Sequence, residues 1–311
     1  MNHIDEIIKE VQPFYKDGKV VDYIPILKDI DLSIFHVSLI DCHGNAYHTG
    51  DEHFRFSMQS ISKVISFIVA TGYKGITEMM KFVDLEPTGD PFNSIIRLES
   101  SEVGKPFNPL INAGAITVAS LLPGKLIQEK VDSVIDFIEQ NTGERVAVNE
   151  AIYQSEEANS YRNRAIAYYL KEGGFIEGEP DDALEVYLRI CSIEVSTCII
   201  AKLGLLIAND GVIPNQKEPI VELEVIKVVK ALMVTCGMYN YSGKYAAFIG
   251  IPSKSGVSGG IMCALSIGEI ENMKGPIGIG VFGPAIDEIG NSVVGIRFLR
   301  KLSFDYDLNI F

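Results

Sequence analysis

Ser60 and Lys63 stand three positions apart in the string Ser60-Ile61-Ser62-Lys63, the one Ser-x-x-Lys in the chain. On a helix, a hydroxyl and an amine at this spacing face the same side, one turn apart. A serine at a helix start meets free backbone N–H groups and the positive end of the helix dipole, and both favour a nearby oxyanion. A lysine shielded from water is easier to deprotonate, because burial disfavours the ammonium. A neutral amine can then take the serine proton. The plainer reading of the pair is a helix-capping serine beside a solvated lysine. A second candidate is Lys254-Ser255-Gly256, which opens an expected strand in the C-terminal part. A strand edge there would offer a backbone N–H to a reacting carbonyl, and the small residues would let a substrate come close. Its plainer reading is an ordinary turn.

The elements that would hold these residues follow from periodicity. Ile4, Ile7, Ile8 and Val11 predict an amphipathic helix, ended by Pro13. Phe35, Val37 and Leu39 predict a strand, and Cys42-His43-Gly44-Asn45 turns it into a second strand over Ala46–His48. From Ser57 to Thr71 the period becomes helical, with Ile61, Val64, Ile65, Ile68 and Val69 on one face. Further helices are expected around Val131–Ile138, Tyr161–Leu170 and Val195–Asn209. Leu85–Pro109, with four prolines, reads as a long shaped loop of the kind that lines sites. Tyr245–Ile251, Gly256–Ser266 and Pro276–Val281 predict three strands, and Val294, Phe298 and Leu302 a last helix. The two ends must therefore meet in one antiparallel sheet flanked by helices, with a helical part between them. The expected fold class is α+β. Residues 1–55 and 225–311 form the mixed sheet part, and residues 56–224 the helical part.

Composition narrows the partners. A formal net charge of −14 without a basic cluster argues against nucleic acid and against an anionic membrane surface. The N-terminal stretch lacks the apolar core of a signal peptide, and no apolar run has the length of a membrane span. Five widely spaced cysteines without C-x-x-C fit reduced thiols in a cytoplasmic protein. All five histidines fall within the first 53 residues and form neither H-E-x-x-H nor H-x-H. Linear spacing thus offers no metal site, and no organic cofactor is expected. Gly278-x-Gly280-x-x-Gly283 matches a dinucleotide-binding pattern, but Pro284 follows and no βαβ unit can be built after it.

Lys254-Ser255-Gly256 also resembles the K-T-G companion of S-x-x-K in penicillin-recognising serine enzymes. Their usual third motif, S-D-N, is missing; Tyr161-Arg162-Asn163 is the nearest match. The strings FSMQSISK (56–63), NPLINAGAI (108–116), QSE (154–156), YLRICSIEVS (187–196), CGMYNYSG (236–243) and KSGVSGG (254–260), in this order, resemble the bacterial-type glutaminase family. That resemblance covers about Val20 to Asn309 and implies a β-lactamase/transpeptidase-like fold. It implies hydrolysis of L-glutamine to glutamate and ammonia, without a metal or cofactor, by a homo-oligomer. Ser60 would be the nucleophile, Lys63 and Tyr239 proton carriers, and the N–H groups of Ser60 and Val257 the oxyanion hole. Tyr23, Gln59, Asn112, Glu156, Asn163 and Tyr187 would surround the substrate. The chemistry asks for these types: a carboxylate such as Glu156 for the α-ammonium, and neutral donors for the carboxylate and amide. The alternatives at this point are another serine amidohydrolase or peptidase of the penicillin-recognising kind, and a glutamine-binding sensor without catalysis.

Overall fold

The computed structural model describes residues 2–21, 28–100, 104–214 and 216–311. Helix α1 (His3–Val11) starts at an Asn2–Asp5 capping box and buries the expected Ile4, Ile7, Ile8 and Val11. Strands β1 (His36–Asp41) and β2 (Ala46–Thr49) form the expected hairpin. Its turn is held by the Asp41 carboxylate, which accepts from the N–H groups of His43 and Asn45 at 2.9 and 2.8 Å. Next come β3 (Phe56–Ser57), α2 (Ser62–Lys74), α3 (Ile76–Phe82), α4 (Ile96–Ser100), α5 (Asn112–Leu121) and α6 (Ile127–Thr142). They are followed by β4 (Ala147–Val148), α7 (Glu150–Glu157), α8 (Tyr161–Glu172), α9 (Pro180–Cys191), β5 (Ile193–Val195), α10 (Thr197–Ala208) and α11 (Leu223–Thr235). The last part holds α12 (Ser242–Phe248), β6 (Ser253–Ser255), β7 (Gly260–Leu265), β8 (Glu269–Ile270), β9 (Met273–Lys274), β10 (Ile277–Phe282) and α13 (Val293–Asp305).

The two ends of the chain do meet. The main sheet has the order β2-β1-β10-β7-β6, antiparallel throughout. One face packs on α1, α12 and α13 through Ile7, Ile279, Phe298 and their neighbours. The other face carries α10, whose Ile199, Ile200 and Leu203 join the core of the helical part. A small sheet, β3-β5-β4, links the start of α2 to the segment before α10.

Several expected elements differ. Tyr245–Ile251 is not a strand; α12 covers Ser242–Phe248. Tyr245 and Ile249 are buried four residues apart, a helical spacing, and Ala246 and Ala247 between them are strong helix formers. The expected strand at Gly256 starts at Gly260, because residues 256–259 form a tight turn closed by the Gly259 N–H on the Gly256 carbonyl at 2.9 Å. Lys254 and Ser255 consequently sit on the preceding edge strand, β6. The helix expected from Ser57 begins at Ser62, after a short strand and a 3₁₀ turn over Gln59–Ile61. The long loop contains α4.

The Gly278-x-Gly280 pattern has a packing explanation. A Cβ on Gly278 would lie 1.9 Å from the Ala201 carbonyl oxygen, and one on Gly280 would lie 2.0 Å from that of Thr197. These glycines let α10 lie directly on β10. Both contacts are with backbone, so neither side can yield cheaply. Gly278→Ala is expected to lower unfolding free energy by about 1–3 kcal/mol or more, read by urea denaturation. Gly72→Ala, on α2 with nothing within 4 Å of its added Cβ, should instead be neutral or stabilising.

Candidate active site

Ser60 is positioned by a sharp change of direction. Phe56 and Ser57 pair with Val195 and Glu194, and the Met58 N–H donates to the Ile193 carbonyl at 2.8 Å. The chain then turns through Gln59, whose φ of +48° is left-handed for a non-glycine residue. Such a conformation costs about 1–3 kcal/mol and persists only where its surroundings hold it. The Ser62 hydroxyl closes the turn by donating to the Gln59 carbonyl at 2.6 Å. Ser60 therefore sits at the mouth of α2, 7 % exposed.

The glycine-rich turn between β6 and β7 packs onto this corner. A Cβ on Gly256 would stand 2.7 Å from the Met58 carbonyl oxygen. The Ser258 hydroxyl donates to the Ser57 carbonyl at 2.7 Å. Val257 is buried in the same turn, and one glycine, Gly290, approaches both Val257 and Tyr239. The helix start and the distant strand thus share one pocket.

Lys63 is buried on α2. Its Nζ donates to Asn112 Oδ1 at 2.7 Å and to the Leu110 carbonyl at 3.3 Å, with the Phe92 and Tyr187 rings each 5.8 Å away. These partners are neutral. Burial pulls its pKa down to about 8, opposed by Cys191 and Glu156. Asn112, the first residue of α5, relays further: its Nδ2 donates to Asn163 Oδ1 at 2.9 Å, and Tyr187 donates to its Oδ1 at 3.3 Å.

Tyr239, with a left-handed φ of +53°, donates its phenol to the Ser255 carbonyl at 3.0 Å. Its pKa is raised by burial, and hydrogen bonding with the Ser60 side chain opposes that rise. Lys254 converges on the same carbonyl: its Nζ donates to it at 2.6 Å and lies 4.3 Å from the centre of the Tyr239 ring. Burial holds the Lys254 ammonium well below the usual lysine range, and Lys63 pushes it the same way. Across the pocket, Gln59 Nε2 donates to Glu156 Oε1 at 2.6 Å. Burial pushes the Glu156 carboxyl up to about 7, against the Gln59 hydrogen bond and Lys63.

The contacts above bring together nine of the ten expected site residues, Tyr23 excepted. Tyr23 lies outside the described residues. Sequence reasoning missed Phe92, whose ring packs 5.0 Å from that of Tyr239 and whose carbonyl accepts from the Asn112 N–H. It also missed Cys191, whose sulfur is 3.6 Å from the Ser62 hydroxyl. The shaped loop that carries Phe92 was the available signal for the first. An isolated cysteine between Ile190 and Ser192 gave none for the second.

The comparisons with known proteins give the chain a family. The glutaminase family model matches residues 18–311. Glutaminase 2 of Bacillus anthracis is 49 % identical over 310 residues, covering 99 % of this chain and 95 % of that protein. The crystal structure of a probable glutaminase from Bacillus subtilis superposes with a TM-score of 0.92 at 45 % identity, covering 99 % of this chain and 97 % of that one. A second similar structure is the covalent complex between the Bacillus subtilis glutaminase YbgJ and 5-oxo-L-norleucine, formed by reaction with 6-diazo-5-oxo-L-norleucine. It has a TM-score of 0.89 at 42 % identity and covers 99 % of each chain. With a β-lactamase-like fold and a family match over nearly its whole length, the chain belongs to the glutaminase family of amide hydrolases.

Proposed function

We propose that the chain hydrolyses the side-chain amide of L-glutamine through an acyl-enzyme on Ser60. Ser60 Oγ attacks the carboxamide carbon. Its proton passes to the Lys63 amine or the Tyr239 phenol and then to the departing nitrogen, which leaves as ammonia. Tyr239 directs its own O–H at Ser255, so its phenol oxygen accepts a hydrogen bond from Ser60 and carries the proton only in concert, releasing its own as it takes the serine's. The backbone N–H groups of Ser60 and Val257 hold the oxyanion; each such donor contributes about 10²–10³ in rate. Water hydrolyses the γ-glutamyl ester, giving glutamate and free Ser60. The observation that carries this reading is the buried Lys63, which has only neutral hydrogen-bond partners one turn from Ser60.

In this reading Glu156 pairs with the substrate α-ammonium, and Asn112, Asn163, Tyr187, Gln59 and Tyr23 take its remaining polar groups. Glu156→Gln keeps the shape and removes the charge. A hydrogen bond to a charged group contributes about 1.5–3 kcal/mol, so kcat/KM for L-glutamine should fall about 10- to 100-fold. Steady-state ammonia assays read the change.

The pH dependence has a definite sign. Lys63 must be neutral to accept a proton, and Glu156 must be ionised to pair with an ammonium. With values of about 8 and about 7, both requirements fail on the acid side. Thus kcat/KM should climb from pH 6 to pH 9. A flat or falling profile in that range would contradict these roles.

The same reading takes residues 1–55 with 225–311 as one structural part and 56–224 as the other. In support, all five strands of the main sheet come from residues 36–49 and 253–282. Exposed Phe248, Phe304 and Phe311 support self-association into a homo-oligomer. No helix among the described residues is long and apolar enough to cross a membrane. The direct assay is ammonia release from L-glutamine alongside a chromogenic β-lactam. Turnover of glutamine without acylation by the lactam is expected, and the reverse outcome would favour a penicillin-recognising enzyme.

A further inference from the structure

Two side chains close in sequence, His48 and Glu52, meet a distant third, Cys198, at the sheet edge opposite β6. His48 lies on the outermost strand β2, Glu52 follows in the next turn, and Cys198 is the second residue of α10. One ligand atom from each lies within 4.8 Å of the other two. His48 Nε2 is 3.1 Å from Glu52 Oε2. We propose that His48, Glu52 and Cys198 form a binding site for one divalent cation of the zinc class.

The ring of His48 is oriented from behind. Its Nδ1 is 2.9 Å from Ser38 Oγ, and Ser38 Oγ is 2.8 Å from Thr197 Oγ1. Ser38 and Thr197 are buried, so this pair forms a fixed support. When Ser38 donates to Thr197, it accepts from His48 Nδ1–H. In that arrangement Nε2 keeps its lone pair, facing a carboxylate oxygen. Two such acceptors 3.1 Å apart are then bridged by a proton or by a metal cation. A support of this kind is what orients metal-bound histidines.

The neighbouring charges leave that role open. Among the described residues, Arg55 and Lys202 are cationic side chains that act on Cys198, and Glu144 pairs with both, at 3.3 and 3.1 Å. Glu52 instead faces imidazoles: His48, and His53 Nε2 at 3.8 Å from its other oxygen. His53 is exposed and can swing in as a fourth ligand. A thiolate, an imidazole and a carboxylate suit zinc better than magnesium or calcium, which take oxygen ligands. Ligand separations in a tetrahedral zinc site are shorter than 4.8 Å, so Cys198 closes in by rotamer adjustment. Binding converts the Cys198 thiol to a thiolate and releases one proton to solvent. The ion would tie the β1–β2 hairpin to the first turn of α10.

The test uses the full chain, stripped with a chelator and titrated with Co²⁺ as a spectroscopic stand-in and with Zn²⁺ against a chromophoric chelator. One equivalent should bind, with a thiolate-to-cobalt band, and Zn²⁺ should raise the melting temperature. Cys198→Ser should lose the band and His48→Gln the tight binding, while both retain glutaminase turnover as evidence of folding. Ser38→Ala should weaken binding about 10- to 100-fold by freeing the imidazole. Absence of stoichiometric binding would overturn the proposal, as would a band that survives Cys198→Ser and therefore belongs to another cysteine.

Discussion

Ser60→Ala should lower kcat for ammonia release from L-glutamine by at least about 10⁴-fold while leaving the melting temperature within a few degrees of wild type. The side chain lost is one oxygen at the mouth of α2. The corner that holds it is built by backbone pairing of β3 with β5, the Ser62 bond to Gln59 and the packing of Gly256 on Met58. None of these uses the Ser60 hydroxyl. The fold should survive, and the reaction should not, because in the proposed route the ester forms on the Ser60 hydroxyl. What remains would come from substrate binding and the two backbone donors. Activity near wild type would show that water is activated directly, without an acyl-enzyme.

Lys63→Met should lower kcat by about 10²–10⁴-fold, with protein stability unchanged or higher. The two side chains have similar volume, and the site is fully enclosed. Removing a buried amine also removes a desolvation cost that its neutral partners offset only in part. Asn112 Oδ1 would lose its Lys63 donor at 2.7 Å but keep the Tyr187 hydroxyl at 3.3 Å. A purely structural lysine would give the opposite pattern, lost stability with activity falling in proportion. Effects of residues acting as a unit do not add. The double variant Ser60→Ala with Lys63→Met should therefore be little worse than Ser60→Ala alone.

Much of the scaffold was legible because its signals are local. The stripe of Ile4, Ile7, Ile8 and Val11 needs a single buried face, and the hairpin around Gly44 needs a turn residue with positive φ. Tyr245–Ile251 misled because a short apolar run fits both periods, and the burial of Tyr245 and Ile249 four residues apart becomes visible only in the fold. The site divides along the same line. The Ser60–Lys63 spacing is a local fact. The Gln59–Glu156 bond spans 97 positions, and nothing in the neighbourhood of Glu156 distinguishes it from the other acidic residues. Resemblance to a family identified it, and pattern could not. Lys254 was singled out by its motif, but its convergence with Tyr239 on one carbonyl appears only in three dimensions. The His48–Glu52–Cys198 cluster was invisible for the same reason, since a strand edge and a helix start supply it jointly.

The nucleophile can be located directly. The protein is treated with 6-diazo-5-oxo-L-norleucine, digested with trypsin and sequenced by tandem mass spectrometry. The adduct, formed with loss of dinitrogen, should fall on the peptide Phe56–Lys63, and its fragments should place it on Ser60 rather than Ser57 or Ser62. A modification on any other residue, or none in a preparation that turns over glutamine, would contradict Ser60 as the attacking group.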